Sequence, residues 1–461
     1  MRLEVFTTCL ASLSYARALI SQQQPASVPV QISAITDSPL HPHIDHSALY
    51  PDDGEVVPPP EGMVLHPLHV SGPSAERVDL TFFSDGYTSD EVEKFLKDAK
   101  KLTEDIVSPS SAMGHVQHLL NVWAVFVPSN TSGVGTQDTP IPGAAFGLYR
   151  PGSELRAVFV DQPRKARAAC KFFREGREGG CDQAVLLGNS PLYGGLGGEF
   201  TIITASERNG PLVLRHELGH SLIPVGEEYE GGYAYFGANS EKLESLNQLK
   251  WKGFLSSSEQ IRVEDVKVPV QAYPWYDLSQ GPYNVTFESS SLKNSSHTYP
   301  TGLLRLSMSS IPYPSHISVS INQVALNVSE AFPPSWAGTK DRRWLEIPLP
   351  NGIDKGVNTI DVRLTKEGME AEEGQGGKMI TSLEVEEYGG QGRFNHSEGF
   401  IGAFPTYAMD GKVTLRPTND ACLMRSVNRP SFCPVCADAL EKSLLGKIEK
   451  KRLTVDGGMD S

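Results

Sequence analysis

The chain has 461 residues, 39% of them apolar and 21% charged, with 43 Gly, 33 Pro and 6 Cys. That balance is ordinary for a globular protein and excludes both wholesale disorder and a bundle of membrane helices; at roughly 100 to 200 residues per domain the length predicts two or three domains. The 55 acidic against 41 basic side chains leave a formal charge of −14 at pH 7, which argues against a nucleic-acid partner, because such proteins need a basic face to neutralise phosphates.

The chain opens on Met1-Arg2, then a mostly apolar run from Val5 to Tyr15, then Ala16-Arg17-Ala18. A charged start, an apolar middle and a small-x-small end predict a secretory signal peptide over 1–18 and a secreted protein. No other stretch approaches the ~18 continuous apolar residues of a membrane span. Asn-x-Ser/Thr sequons at Asn130, Asn284, Asn294, Asn327 and Asn395 agree with an extracellular glycoprotein. Cys9 leaves with the signal, so Cys170, Cys181, Cys422, Cys433 and Cys436 remain. In an oxidising compartment Cys170 and Cys181 are expected to pair locally, since the Gly- and Arg-rich segment between them can turn back.

Residues 19–62 are polar and rich in Pro, and read as an arm or propeptide-like linker without a core. From Met63 the texture changes, and 63–254 reads as the first part of the main folded domain. Val78 to Phe83 predicts a strand and Asp85-Gly86-Tyr87 a turn. Thr88 with Glu91 then makes a capping-box pattern for a helix whose apolar face is Val92, Phe95, Leu96, Ala99, Leu102 and Ile106. Strands are expected at Val122 to Val127, Ala157 to Val160, Ala184 to Leu187 and Phe200 to Ile203. Strands alternating with helices imply α/β layers. The run Tyr193-Gly194-Gly195-Leu196-Gly197-Gly198 lacks the spacing of a nucleotide loop and reads as a flexible loop beside a cleft.

Pro211 suits the first turn of a helix that continues through His216-Glu217-Leu218-Gly219-His220. A spacing of four puts both imidazoles on one face, one turn apart, where they can reach a single tetrahedral zinc. Glu217 projects beside them, placed to take a proton from a water that the metal acidifies and to deliver it to a leaving amine. Pro224 stops the helix, Gly226 can take the left-handed conformation that reverses the chain, and Glu227 and Glu228 follow. A third ligand is required while a fourth position stays open, and these carboxylates are the candidates.

Between 255 and 390 the hydrophobic period becomes two. Ile317, Val319 and Ile321 alternate with polar residues, as do Ile360, Val362 and Leu364; Asn351-Gly352 supplies a turn and Met379 to Val385 another strand. This predicts an antiparallel β-sandwich. The main domain resumes over 391–450 and closes with a helix over Ala437 to Ile448. Residues 451–461 read as a polar tail, with Lys450, Lys451 and Arg452 solvated at its start. Cys433-Pro-Val-Cys436 could hold zinc, but it is a lone CxxC without a second pair; a disulfide from Cys422 to Cys433 or Cys436 is the expectation.

His216-Glu217-Leu218-Gly219-His220 followed by Glu227-Glu228-Tyr229 and a Gly/Tyr-rich stretch resembles the IgA-peptidase family of secreted zinc metallopeptidases, whose pattern is HExGH, about six residues, then Asp-Glu-Tyr. The resemblance takes in Val78 to Phe83 with Asp85-Gly86-Tyr87, Asn121-Val122-Trp123, the Tyr193-Gly194-Gly195 run, Cys422-Leu423-Met424 and Phe432 to Cys436. It implies a zincin with one catalytic zinc, His216 and His220 as ligands, and Glu217 as general base. Glu227 stands where the family has Asp as third ligand; a small backbone shift absorbs the extra methylene, or Glu228 ligates instead, and Glu227 is the expected ligand. Met424 is similar to the methionine of the turn beneath zinc in related peptidases.

The expectation is therefore an α/β (α+β) zincin-like metallopeptidase with an inserted antiparallel β-sandwich: a secreted, zinc-dependent endopeptidase acting on protein or peptide substrates. A non-catalytic extracellular binding protein that uses the sandwich is one rival. A zinc hydrolase of a non-peptide bond is the other. Substrate preference and oligomeric state are not written in the sequence.

Overall fold

A computed structural model describes residue 50 and residues 54–175, 179–232, 235–257, 261–291 and 298–457. The expected signal peptide, most of the Pro-rich arm, Asn294 and the last residues of the tail lie outside these. The fold is mixed α/β, with several sheets and few helices. One compact unit takes the described chain up to Ile223 and from Ala439 onward, and a second takes Pro224–Asp438.

The first unit is built on a six-stranded sheet. Its strands are β1 (Val64–Val70), β2 (Val78–Asp85), β3 (Leu120–Phe126), β6 (Gln183–Gly188), β7 (Gly195–Leu196) and β8 (Thr201–Thr204), ordered β1-β3-β2-β6-β8-β7. The short β4 (Leu148–Tyr149) and β5 (Phe159–Val160) pair separately. The four inner strands are parallel, and β1 and β7 are added antiparallel at the two edges. Central parallel strands are covered on both faces and need near-continuous apolar runs; β2 and β6 are buried at every residue.

Helix α1 (Val92–Ile106) follows a short 3-10 turn, with the Thr88 N–H donating to Glu91 Oε2 at 3.0 Å as the capping pattern predicts. Its buried residues Phe95, Ala99, Leu102 and Ile106 form one stripe. Helix α2 (Pro163–Arg174) starts on a proline and buries Ala166, Ala169, Cys170 and Phe173. Cys170 and Cys181 form the expected disulfide, pinning α2 to the entrance of β6.

Two acidic residues of β2 are fully buried and hold the unit together. Asp79 Oδ1 accepts from Asn121 Nδ2 (3.0 Å), Trp123 Nε1 (2.9 Å) and Ser74 Oγ (2.9 Å), while Lys451 reaches Oδ2 at 3.0 Å. Asp85 accepts backbone N–H bonds from Phe146 (2.5 Å), Gly147 (3.1 Å) and Leu148 (2.8 Å). The Asp-Gly-Tyr turn therefore organises a distant loop. Gly86, at φ 70°, has the Gly133 carbonyl 1.8 Å from where a Cβ would sit, so no other residue fits there. The C-terminal helix α4, counting α3 as the motif helix (Asn209–Leu222), spans Pro434–Gly457. It runs beyond the expected end, and Lys451, expected to be solvated, donates to the Ser74 and Arg77 carbonyls and pairs with Asp79 and Asp182.

The second unit is almost entirely antiparallel. One sheet runs β10 (Val266–Ala272), β18 (Met379–Tyr388), β13 (Thr301–Ser309), β16 (Arg343–Leu349), with β11 (Tyr276–Asp277) also on β18. Another runs β12 (Tyr283–Glu288), β17 (Val357–Leu364), β14 (Ile317–Ile321), β15 (Val324–Ala325). A small third sheet joins β9 (Glu241–Lys242), β20 (Val413–Arg416) and β19 (Phe404–Tyr407). The first two share one core, in which Val270, Leu304, Leu306, Leu345, Ile347 and Leu383 of one meet Val285, Phe287, Ile317, Val319, Ile360 and Val362 of the other. Alternate residues of each strand enter it, as a period of two dictates. Gly352, at φ 68°, makes the expected turn between β16 and β17.

The period-two reading assigns the alternate polar positions to solvent, and here it fails for β13 and β18. Arg305, Glu384 and Glu386 lie beneath Arg416, Asp420 and Arg425 in a buried ion-pair network that also takes in Glu230. No local pattern announces it, because its members are scattered from 230 to 425.

Candidate metal centre

Helix α3 begins at Asn209, two residues before the expected Pro211, because Ser206 supplies the first-turn partner: its Oγ accepts from Asn209 N at 2.8 Å. The helix is buried nearly all round, through Pro211, Val213, Leu214, Leu218, Gly219 and Leu222. Arg215 fixes its rotation by a two-pronged bond to Asp105 of α1, at 2.7 and 2.9 Å.

His216 and His220 sit one turn apart on the same face. Their Nε2 atoms are 3.3 Å apart, with the rings crossed at 82°, so both nitrogens point at one spot. His216 is buried and His220 half-buried. The Gly-rich run lies directly over the helix. It is not a flexible loop, since Gly195–Leu196 forms the outermost strand of the sheet against Ile202 and Ile203. A Cβ on Gly195 would meet Val213 Cγ1 at 2.1 Å and Glu217 Oε1 at 3.3 Å. On Gly197 it would meet His220 Cβ at 2.8 Å and Glu217 Oε2 at 2.9 Å. Glycine is what allows the strand backbone to approach the Glu217 carboxylate. Ser221 ties the two together, accepting from Gly198 N (3.2 Å) and Thr201 Oγ1 (2.7 Å) while donating to the Glu217 carbonyl (2.9 Å).

The helix ends at Leu222, whose carbonyl accepts from Ser443 Oγ at 2.5 Å. The reversal expected at Gly226 has a different construction. Gly226 is not among the positive-φ glycines, whereas Gly231 and Gly237 are, and the turn is clasped by Asn239, which bonds both the N–H and the carbonyl of Gly226. Glu227 follows five residues after the helix, and it is half-buried at the start of the second unit.

Glu228 has quite different surroundings. It is fully buried, its N–H donates to the Met424 carbonyl at 3.1 Å, and its Oε1 accepts from Asn239 Nδ2 at 2.9 Å. Burial, with Cys433 close by, pushes its carboxyl up to about 8. The expected disulfide from Cys422 is not formed: Cys422, Cys433 and Cys436 are buried free thiols and gather around Glu228. Met424 is fully buried, and the Tyr229 carbonyl accepts from Tyr235 Oη at 2.8 Å. A separate cavity of about 510 Å³, lined by Tyr50, Arg167, Lys171 and Phe200 among others, shares no residue with this group.

Residues 66–260 match the model of a family described as IgA Peptidase M64. The match includes the motif helix, Glu227 and Glu228, and ends before the 390–450 segment in which Met424 and the last three cysteines lie. No curated protein matches the chain.

Proposed function

The chain belongs to the IgA peptidase M64 family through residues 66–260, and on that premise we propose that it is a secreted, zinc-dependent endopeptidase with His216, His220 and Glu227 as ligands and Glu217 as general base. Membership implies a metallopeptidase whose substrates are proteins or peptides. The observation that carries the finer reading is the convergence of the two imidazole nitrogens, 3.3 Å apart, on one face of the motif helix, with Glu227 following five residues beyond its end. Two neutral nitrogens and one carboxylate are a donor set that zinc accepts, with a fourth position left for water or substrate.

Zinc, when bound, supplies the Lewis acid that polarises a peptide carbonyl and acidifies water. The chain's own residues do the rest. Glu217 removes a proton from the attacking water and returns it to the departing amine. The edge strand Gly195–Leu196 presents backbone beside Glu217, where an extended peptide can add as a further strand; that favours a peptide substrate over other amides.

The two antiparallel sheets with their shared core support an inserted β-sandwich over 255–390, flanked by the two parts of a zincin-like domain at 63–254 and 391–450. Secretion rests on the 1–18 signal pattern. Glycosylation is supported by the exposure of Asn130, Asn284 and Asn327, and Asn395 is half-exposed. No helix among the described residues is long and apolar enough to cross a membrane.

The test is incubation of the purified chain with an unbiased peptide library, with and without a chelator and after zinc is restored. Internal cleavage that the chelator stops and zinc restores is expected; no cleavage by the zinc-loaded protein refutes the proposal.

A further inference from the structure

Glu228, Cys422, Cys433 and Cys436 form a second set of metal-competent side chains, all of them buried, with their ligand atoms within 4.8 Å of one another. We propose that these four residues bind a structural zinc ion, separate from the catalytic one.

The geometry agrees with four donors around a single centre. Two sulfurs each about 2.3 Å from one tetrahedral ion stand about 3.8 Å apart, and a sulfur and a carboxylate oxygen about 3.5 Å apart. Cys422 Sγ and Cys436 Sγ are separated by 3.8 Å, and Cys436 Sγ and Glu228 Oε1 by 3.8 Å. The carboxylate is aimed and held: Asn239 bonds Oε1, the Met424 carbonyl takes the Glu228 N–H, and Arg425 Nη1 donates to the Glu228 carbonyl at 3.0 Å. Orienting bonds of this kind are what a ligating carboxylate requires. Its Oε2 is buried with no hydrogen-bond partner among the described residues, a costly state for a carboxylate that a cation would relieve. Cys433 N donates to Cys422 Sγ at 3.4 Å, which suits a sulfur carrying negative charge.

The CxxC pair lacked a second pair in the sequence. Tertiary structure supplies the remaining donors, one thiol 11 residues before Cys433 and one carboxylate 208 residues before Cys436. Three sulfurs select a soft-accepting ion such as zinc over calcium or magnesium, and four protein donors leave no open position, as in structural sites. Binding releases the thiol protons and closes the long excursion of chain between Glu228 and Cys422.

The experiment uses the full chain, purified and then loaded with Co2+ in place of zinc. The His216, His220 and Glu227 set contains no sulfur, so an intense near-ultraviolet thiolate-to-cobalt band reads the cysteine set alone. That band is expected in the wild type and, undiminished, in the His216→Ala/His220→Ala variant, which by elemental analysis keeps one of two zinc ions per chain. Glu228→Ala should release this zinc to a competing chelator at least about tenfold more readily. Absence of the band from the wild type, a disulfide among Cys422, Cys433 and Cys436 by peptide mapping, or unchanged zinc retention in Glu228→Ala would overturn the four-residue site. None of these readouts depends on peptide cleavage, so the site and the catalytic proposal can fail separately.

Discussion

Glu227 and Glu228 are chemically identical neighbours, yet Glu228 is set apart by its surroundings, fully buried among three thiols. Glu217, one residue from a histidine, is distinguished by a glycine strand whose backbone comes close to its carboxylate. We predict that Glu217→Gln lowers kcat by about 10²- to 10⁴-fold, the usual contribution of a general acid–base group, while zinc content by elemental analysis is unchanged. Retained turnover would remove Glu217 from its role. The motif residues were legible because a spacing of four is a geometric statement about any helix. The burial of Glu228 was not, since its partners lie about two hundred residues further along the chain.

At the scale of elements, the pairing of edge strand and motif helix is the critical contact. A strand of two residues, one of them glycine, has no side-chain periodicity, so the run reads as a loop until its partner strand is known. Its glycines then acquire a steric meaning. A Gly197→Ala methyl would meet His220 Cβ at 2.8 Å and the Glu217 carbonyl at 2.9 Å, and strand or helix must move. Misplacement of catalytic groups by about 1 Å can cost about 10²-fold, so kcat/KM is expected to fall by roughly tenfold to a hundredfold. Wild-type kinetics in this variant would show that strand and helix do not need their close approach. The Asn121-x-Trp123 pair acquires a meaning at this scale: both side chains donate to the buried Asp79.

For the molecule as a whole, the largest feature hidden from the sequence is the ion network of the second unit. Arg305, Arg416 and Arg425 face Glu230, Glu384, Glu386 and Asp420, which leaves one negative charge in excess in a buried setting. Such a group holds a proton. Burial raises the Glu384 carboxyl to about 8 against the pull of Arg425. Burial would raise Glu386 too, but Arg305 and Arg425 hold it well below the usual carboxylate range. The folded-state value of Glu384 is above its unfolded one, so its contribution to stability is complete below about 4.5 and is lost as pH rises through about 8. Stability should therefore decline between about pH 5 and about pH 9, with a shallower decline in Glu384→Gln, where the amide cannot ionise. Denaturant unfolding across that range is the measurement, and equal slopes in the two proteins would contradict the assignment.

The sequence by itself determined the features that depend on residues close together in the chain: the motif helix and its two histidines, the capped helix after Thr88, the local Cys170–Cys181 bridge and the alternating strands of the second unit. Spacing and periodicity act over a few residues, and there the backbone leaves few alternatives. Only tertiary structure decided that Gly195 and Leu196 form a strand over Glu217, that Lys451 is bound to Asp79, and that three thiols surround Glu228. Each of those depends on the free energy of a buried polar group finding a partner, and such partners are chosen by the folded chain, across distances that no local pattern records.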